Sequence, residues 1–302
     1  MARILVSTPM LPQCLQALQG HELIEGPPGS DALADALICG PTQRVDREAL
    51  TRMPRLRVIS VAGAGSDAVD HAAARERDIP VLTSGEALVE TTADLAFGLI
   101  IAASRLMGDA QACLRAGRWA GWQFIEQRFG RDVHGARLGL VGYGSIGRAV
   151  ARRASAFSMR VSHHTRHPTG VTGWTGNLDQ LLAGSDIVSV HVPLTDETRG
   201  LIDRRRIALL PQDAVLVNTA RGAVVDAAAL ADALSEGRLL GAGIDVYDGE
   251  PDVPPSLLQA PRAVLLPHIG SATRATQERM LTDAAGKVAS VLGPAAAQDP
   301  TA

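Results

Sequence analysis

Short apolar runs alternate with stretches of helical spacing along most of the chain. Residues 3–6, 36–39, 57–61 and 80–82 read as strands, and helical patterns near 12–19, 46–52 and 67–77 lie among them. A long helix is predicted from Val89 to Arg105, and a second strand–helix series starts at Arg137 and runs to Leu266. Its strands are read at Arg137–Val141, Met159–His163, Ile187–Val190, Ala214–Val217, Leu240–Ile244 and Ala263–Leu266. The last helical pattern, Arg274 to Val291, has no strand after it. Strands alternating with helices predict an α/β chain with parallel sheets.

Composition sets limits on this picture. At roughly 150 residues per domain, 302 residues suggest two domains with ample core. A net charge of −3 gives no electrostatic footprint for nucleic acid or an anionic membrane. No apolar run approaches the ~20 residues needed to cross a bilayer, and Met1-Ala2-Arg3-Ile4-Leu5-Val6 reads as a first strand, not a signal peptide. Cys14, Cys39 and Cys113 are odd in number and lack metal spacing, which fits reduced thiols in a cytoplasm. At 3% aromatic residues, the core must rest on Leu, Val, Ile and Ala.

The strand at Arg137–Val141 runs into Gly142-Tyr143-Gly144-Ser145-Ile146-Gly147, and a helical pattern continues from Ile146 to about Phe157. The first glycine allows a tight turn, the second lets backbone approach a pyrophosphate, and the third lets the helix close on the strand. The free N–H groups of the helix N-terminus then face the anion. A bare G-x-G-x-x-G is a common accident; its position between strand and helix makes this one informative.

Three further stretches follow apolar strands: Asn218-Thr219-Ala220-Arg221-Gly222, Asp245-Val246-Tyr247-Asp248-Gly249-Glu250-Pro251 and Pro267-His268-Ile269-Gly270-Ser271. In open α/β sheets, residues just past the carboxyl ends of strands line the ligand crevice. An Arg, a Glu and a His there can bind a carboxylate, tune a proton donor and deliver the proton. Singly, each is more often a surface cation or a satisfied loop residue; at three successive strand ends they form a constellation.

With these blocks in view, the chain resembles the D-isomer-specific 2-hydroxyacid dehydrogenase family from about Leu56 to Ala275. Val61-Ala62-Gly63-Ala64-Gly65-Ser66-Asp67, Ala93-Asp94-Leu95-Ala96, Gly117-Arg118-Trp119 and His191-Val192-Pro193-Leu194-Thr195 add to the match. Gly130 to Gly135 and Pro267 to Thr273 look most like glyoxylate and hydroxypyruvate reductases. The resemblance implies two Rossmann-like domains with the active site in the cleft between them. A flavodoxin-like substrate domain (1–98 and 272–302) would enclose a dinucleotide-binding domain (99–271).

Residue by residue, the resemblance implies that Arg221 binds the substrate, that His268 is the acid in reduction, and that Glu250 beside it favours its protonated form. The backbone at Ala64 and Gly65 would take the substrate carboxylate. Gly142, Gly144, Ser145, Ile146, Gly147, His164, Thr165, Arg166, Val192, Pro193, Thr198, Thr219, Ala220, Asp245 and Gly270 would contact the cofactor, Asp245 at the nicotinamide amide. No metal is implied, and His71, His134, His163 and His167 share no metal spacing. His191 would shape the cofactor loop without being a second acid. Asp67 and Asp70 look like helix N-terminal acids. Trp119 and Trp122 lie in a segment that reaches across a two-fold dimer in the family, and burial within the subunit is the alternative reading of them.

In such folds an acid ~20 residues past the first glycine binds the ribose 2′-hydroxyl, and an Arg there accepts a 2′-phosphate instead. This chain has His164-Thr165-Arg166-His167 and no acid between Asp132 and Asp179. A guanidinium can fork onto a phosphate that a carboxylate would repel. The expectation is a preference for NADP(H), with NAD(H) possible. The His164–Leu178 stretch is shorter than in many relatives, and residues 1–55 match only as a βα pattern. Two alternatives stay open: another enzyme of the family, such as D-3-phosphoglycerate dehydrogenase, and a non-catalytic dinucleotide-binding scaffold resembling the co-repressors of this fold. The physiological 2-oxo acid is not legible.

Overall fold

The computed structural model describes residues 1–121 and 129–293, which form two compact units. The first comprises Met1–Leu88 and Ser271–Ala302, the second Val89–Gly270. Both sheets are wholly parallel, as the strand–helix alternation predicts.

In the first unit, β1 (Arg3–Val6), β2 (Glu22–Glu25), β3 (Ala36–Cys39), β4 (Val58–Val61) and β5 (Val81–Thr83) pair in the order β2-β1-β3-β4-β5. β3 and β4 are buried at every position, as apolar runs require. Asp46 and Asp70 cap the helices Arg47–Thr51 and His71–Arg75 by accepting from the N–H groups of Ala49 and Ala73, both at 2.8 Å. The predicted helix at 67–77 is therefore shorter, because the chain enters it only at the Asp70 cap. The one at 12–19 is a 3-10 helix, Pro12–Leu18, that opens on proline. On one face of the sheet, Ile4, Val6, Ala36, Ile38 and Val58 form one core with Leu281, Ala284, Ala285 and Val288 of the helix Arg274–Leu292.

In the second unit, β6 (Arg137–Val141), β7 (Arg160–His164), β8 (Trp174–Thr175), β9 (Ile187–Val190), β10 (Ala214–Asn218), β11 (Leu239–Ile244) and β12 (Ala263–Leu265) pair in the order β12-β11-β10-β9-β6-β7-β8. The order reverses between β6 and β9, the switch point at which ligands bind in such sheets. The helix Val89–Ser104 belongs wholly to this unit, whereas the family layout puts the domain crossing within it, near residue 98. Its buried side chains Ala93, Ala96, Leu99, Ile100 and Ala103 share a core with Leu138, Leu140, Val215 and Val217.

Gly85–Ser104 is long and apolar enough to cross a membrane by length and composition alone, a test that the core helix of a soluble protein also meets, and half of its most apolar stretch is buried within the protein. The helix Met107–Arg115, which the pattern did not predict, buries none of its residues. Cys14, Cys39 and Cys113 are free thiols, and burial pushes the Cys39 thiol up to about 12. Trp119 is exposed, and Trp122 lies outside the described residues.

Candidate active site

At the switch point β6 ends in Gly142, at φ +97°, where a side chain would meet the His191 carbonyl oxygen at 2.4 Å. Only glycine serves there, since the φ is left-handed and the obstacle is backbone. At Gly147 an added Cβ would lie 2.5 Å from the Gly142 carbonyl oxygen, so helix and strand close as the motif requires. Gly144, exposed and with open space beyond it, precedes the helix Ser145–Ala156 without a side-chain cap. A helix N-terminus with uncapped N–H groups and no Cβ in front of it fits a pyrophosphate.

β7 ends at His164, whose Nδ1 lies 3.0 Å from the Thr175 carbonyl oxygen. Thr165 donates to the His167 carbonyl at 2.6 Å and accepts from the Trp174 indole at 3.1 Å. Arg166 is exposed on this loop. Its positive charge is a minor influence on Glu197, which is held below the usual carboxylate range mainly by the Thr195 hydroxyl. After β9, Thr198 donates to the Pro193 carbonyl at 2.6 Å and accepts from the Thr195 N–H at 2.8 Å, fixing the loop that follows Val192. His191 lies 2.9 Å from the Ser189 hydroxyl, and desolvation pushes its imidazole down to about 4. That ring is uncharged at neutral pH.

The three catalytic candidates sit past β10, β11 and β12. Asn218 ties the first loop from both ends: its amide accepts from the Ala220 N–H at 3.0 Å and donates to the Arg221 carbonyl at 2.9 Å. Arg221 is extended, its guanidinium donating to the Ala220 carbonyl at 2.7 Å. The Thr219 hydroxyl is buried with no hydrogen-bond partner among the described residues. The next residue after Arg221, Gly222, meets the loop after β11 so closely that a Cβ would fall 2.0 Å from the Tyr247 carbonyl carbon and 2.2 Å from the Asp248 nitrogen. The Arg221 loop and the Glu250 loop therefore cross backbone to backbone.

Glu250 is held by one oxygen and offers the other. Oε1 accepts from the Tyr247 N–H at 2.8 Å, and Oε2 lies 2.7 Å from Nδ1 of His268. With Nδ1 turned to the carboxylate, Nε2 is the nitrogen left for proton exchange with a substrate. His268 has φ +53°, a left-handed conformation that is unusual for a non-glycine residue. Asp245 stabilises the backbone just after it: its carboxylate, 1% exposed, accepts from the N–H groups of Ile269 and Gly270, both at 2.8 Å. Burial pushes the Asp245 carboxyl up, and the Ile269 and Gly270 amides and the nearby His268 act against that rise. Thr92 donates to the Gly270 carbonyl at 3.3 Å from the far side. Tyr247 completes the frame, its hydroxyl donating to the Leu266 carbonyl at 2.9 Å.

Asn218, Tyr247 and Thr92 have no role that the sequence discloses. The first two stand inside the motifs that were read, so proximity was their only signal; Thr92 reaches Gly270 across 178 positions and had none. Ala64 and Gly65 belong to the first unit, on the loop past β4, where Ala64 is exposed and Gly65 half-buried.

The family described as "D-isomer specific 2-hydroxyacid dehydrogenase, NAD binding domain" matches residues 97–270, and the chain belongs to it: an oxidoreductase that uses a nicotinamide dinucleotide. Within that family it is most like glyoxylate reductases. It is 40% identical over 255 residues to a glyoxylate reductase from Thermococcus litoralis, covering 82% of this chain and 77% of that one. The crystal structure of the TT0316 protein from Thermus thermophilus superimposes with a TM-score of 0.87 at 42% identity over 96% of both chains. An NADPH-dependent glyoxylate/hydroxypyruvate reductase from Sinorhizobium meliloti, solved with NADP and malonate, gives a TM-score of 0.86 at 31% identity over 97% of this chain and 94% of that one.

Proposed function

We propose that this chain reduces small 2-oxo acids, glyoxylate and hydroxypyruvate first, to 2-hydroxy acids, with NADPH as preferred reductant and His268 as proton donor. The observation that carries the reading is the 2.7 Å contact between Glu250 and the Nδ1 side of His268, on a loop beside that of Arg221. The names of the relatives support the substrate class, and Arg166 with no neighbouring acid on its loop supports the cofactor preference.

A reduced nicotinamide supplies the hydride that reaches C2 of the oxo acid. The planar guanidinium of Arg221 holds the carboxylate and carbonyl side of the substrate in one orientation. As negative charge grows on the carbonyl oxygen, Nε2 of His268 delivers its proton there. Glu250 fixes the ring and stabilises the imidazolium before transfer through a charge-assisted hydrogen bond. In the reverse direction the neutral imidazole accepts the proton. Asp245 keeps the His268 loop in place through two main-chain bonds. In this reading the chain is a cytoplasmic homodimer with the exposed Trp119 at the subunit interface, which sedimentation velocity checks.

The test is oxidation of NADPH and of NADH, followed by absorbance, against glyoxylate, hydroxypyruvate, pyruvate and larger 2-oxo acids. NADPH with glyoxylate or hydroxypyruvate should give the highest kcat/KM. Phenylpyruvate as best substrate would overturn the substrate class. Nucleotide binding without reduction of any oxo acid would favour the scaffold.

A further inference from the structure

One histidine that the catalytic scheme leaves idle lies on β7, the strand that leads into the Arg166 loop. His163, the penultimate residue of β7, is 0% exposed. Its ring stacks on Tyr143, inside the glycine motif, with centroids 3.7 Å apart and planes 18° from parallel. Its Nε2 lies 2.8 Å from the Thr169 hydroxyl, which in turn accepts from the Val171 N–H at 3.2 Å. Its own N–H donates to the Gly173 carbonyl at 2.8 Å. The stretch from Thr165 to Gly173 thus leaves β7 and is stapled back to it through this one residue, and Arg166 rides on the stapled loop.

We propose that His163 is a positioning residue for the cofactor: its ring ties the pyrophosphate-binding glycine loop, through Tyr143, to the loop that presents Arg166, through Thr169. The second half rests on the NADPH reading given above. A phenylalanine could supply the stack without the hydrogen bond, and a small polar residue the bond without the stack; an imidazole supplies both. Burial lowers the basicity of the ring, which favours its uncharged form. Nδ1 is buried without a hydrogen-bond partner among the described residues, which the tautomer carrying its proton on Nε2 tolerates, because it leaves only a lone pair at Nδ1.

The two halves separate experimentally. Dissociation constants of NADPH and NADH are measured directly by nucleotide-fluorescence titration of wild type, His163→Phe and His163→Ala, with melting temperatures alongside. His163→Phe keeps the stack, so NADH affinity should stay within about twofold of wild type. The loss of the Thr169 bond should reduce the NADPH-over-NADH ratio by roughly three- to tenfold, the worth of one neutral hydrogen bond. His163→Ala should weaken both nucleotides. Unchanged dissociation constants with a lowered melting temperature would overturn the proposal, by showing a merely structural role. If wild type binds NADPH and NADH equally, the NADPH reading fails by itself. The tie to the glycine loop is then decided by whether His163→Ala weakens both nucleotides together, and if that variant does not fold, by Tyr143→Leu, which removes the stack from the other side.

Discussion

Glu250 and His268 meet at 2.7 Å because both are held from behind: the Glu250 carboxylate by the Tyr247 N–H, and the backbone just after His268 by the buried carboxylate of Asp245. The pair is therefore an assembled unit, and its charge can be altered without altering its shape. Glu250→Gln keeps a hydrogen-bonding side chain but removes the negative charge that stabilises the imidazolium. The protonated ring is the reactive form in reduction, so kcat for reduction should fall while NADPH affinity stays nearly unchanged. Wild-type kcat in this variant, with chemistry shown to be rate-limiting, would refute the pairing.

His268→Ala removes the proton donor, and kcat for reduction should fall by about 10²–10⁴-fold with NADPH affinity nearly unchanged. Arg221→Ala should raise KM and lower kcat together, because the guanidinium both holds and orients the oxo acid. Steady-state kinetics beside direct nucleotide titration separate the two. Full reductase activity in His268→Ala would sink the mechanism.

Arg166→Ala should erode the preference for NADPH by weakening NADPH binding while leaving NADH binding alone. Glu197 carries the opposing charge, since Arg166 is among the groups that hold its carboxyl down. Glu197→Gln should therefore tighten NADPH a few-fold at low salt and less at high salt, as exposed charges do. Equal use of the two nucleotides by wild type would remove the basis for both expectations.

Gly222→Ala tests the crossing of the two loops. A methyl group there would lie 2.0 Å from the Tyr247 carbonyl carbon, and no flexible side chain is available to yield. One loop must move, and a displacement of ~1 Å in a catalytic group can cost about 10²-fold. We expect kcat/KM to fall by at least about tenfold, with a lower melting temperature. Wild-type kinetics in this variant would show that the loops do not approach so closely.

Asp186 tests stability away from the site. Its carboxylate accepts from the Arg137 main-chain N–H at 2.9 Å and from the Arg137 guanidinium at 2.8 Å, with Arg131 3.0 Å away. The Arg137 guanidinium is the chief reason its carboxyl sits well below the usual carboxylate range. A depressed folded-state pKa contributes stability that is present above the unfolded value of about 3.9 and is lost as pH falls through the folded value. Asp186→Asn should cost about 1.5–3 kcal/mol near neutral pH, the range for hydrogen bonds to charged groups, and the gap from wild type should narrow on acidification below about pH 4. Denaturant titrations at pH 7 and pH 3 measure both.

What the sequence disclosed depended on how a residue is buried. β4 and β9, Val58–Val61 and Ile187–Val190, are covered on both faces and read as unbroken apolar runs. β2, Glu22–Glu25, alternates half-buried and exposed positions between two glutamates, and β8 has two residues, so neither has a run to read. Met107–Arg115 buries nothing, and a helix with no buried face leaves no apolar stripe. The Arg, Glu and His were legible because each follows a strand end within a recognisable stretch. Gly222 was visible as a glycine but not as a crossing, because the backbone it accommodates lies at Tyr247 and Asp248. His163 gave no signal, since its partners Tyr143 and Thr169 are ordinary residues until the loops close.

The discontinuous first unit bears on how the chain is made. Its sheet face at Ile4, Val6, Ala36, Ile38 and Val58 is covered by Leu281, Ala284, Ala285 and Val288, which are translated only after the whole of the second unit. At ~5–20 residues per second, roughly ten to forty seconds separate synthesis of β5 from that of the helix Arg274–Leu292. The whole of Val89–Gly270 emerges in that interval and has its own core, so it can fold while its predecessor waits. The nascent polypeptide thus carries an uncovered apolar sheet throughout that interval, and that surface is where a chaperone or an aggregating neighbour would first take hold.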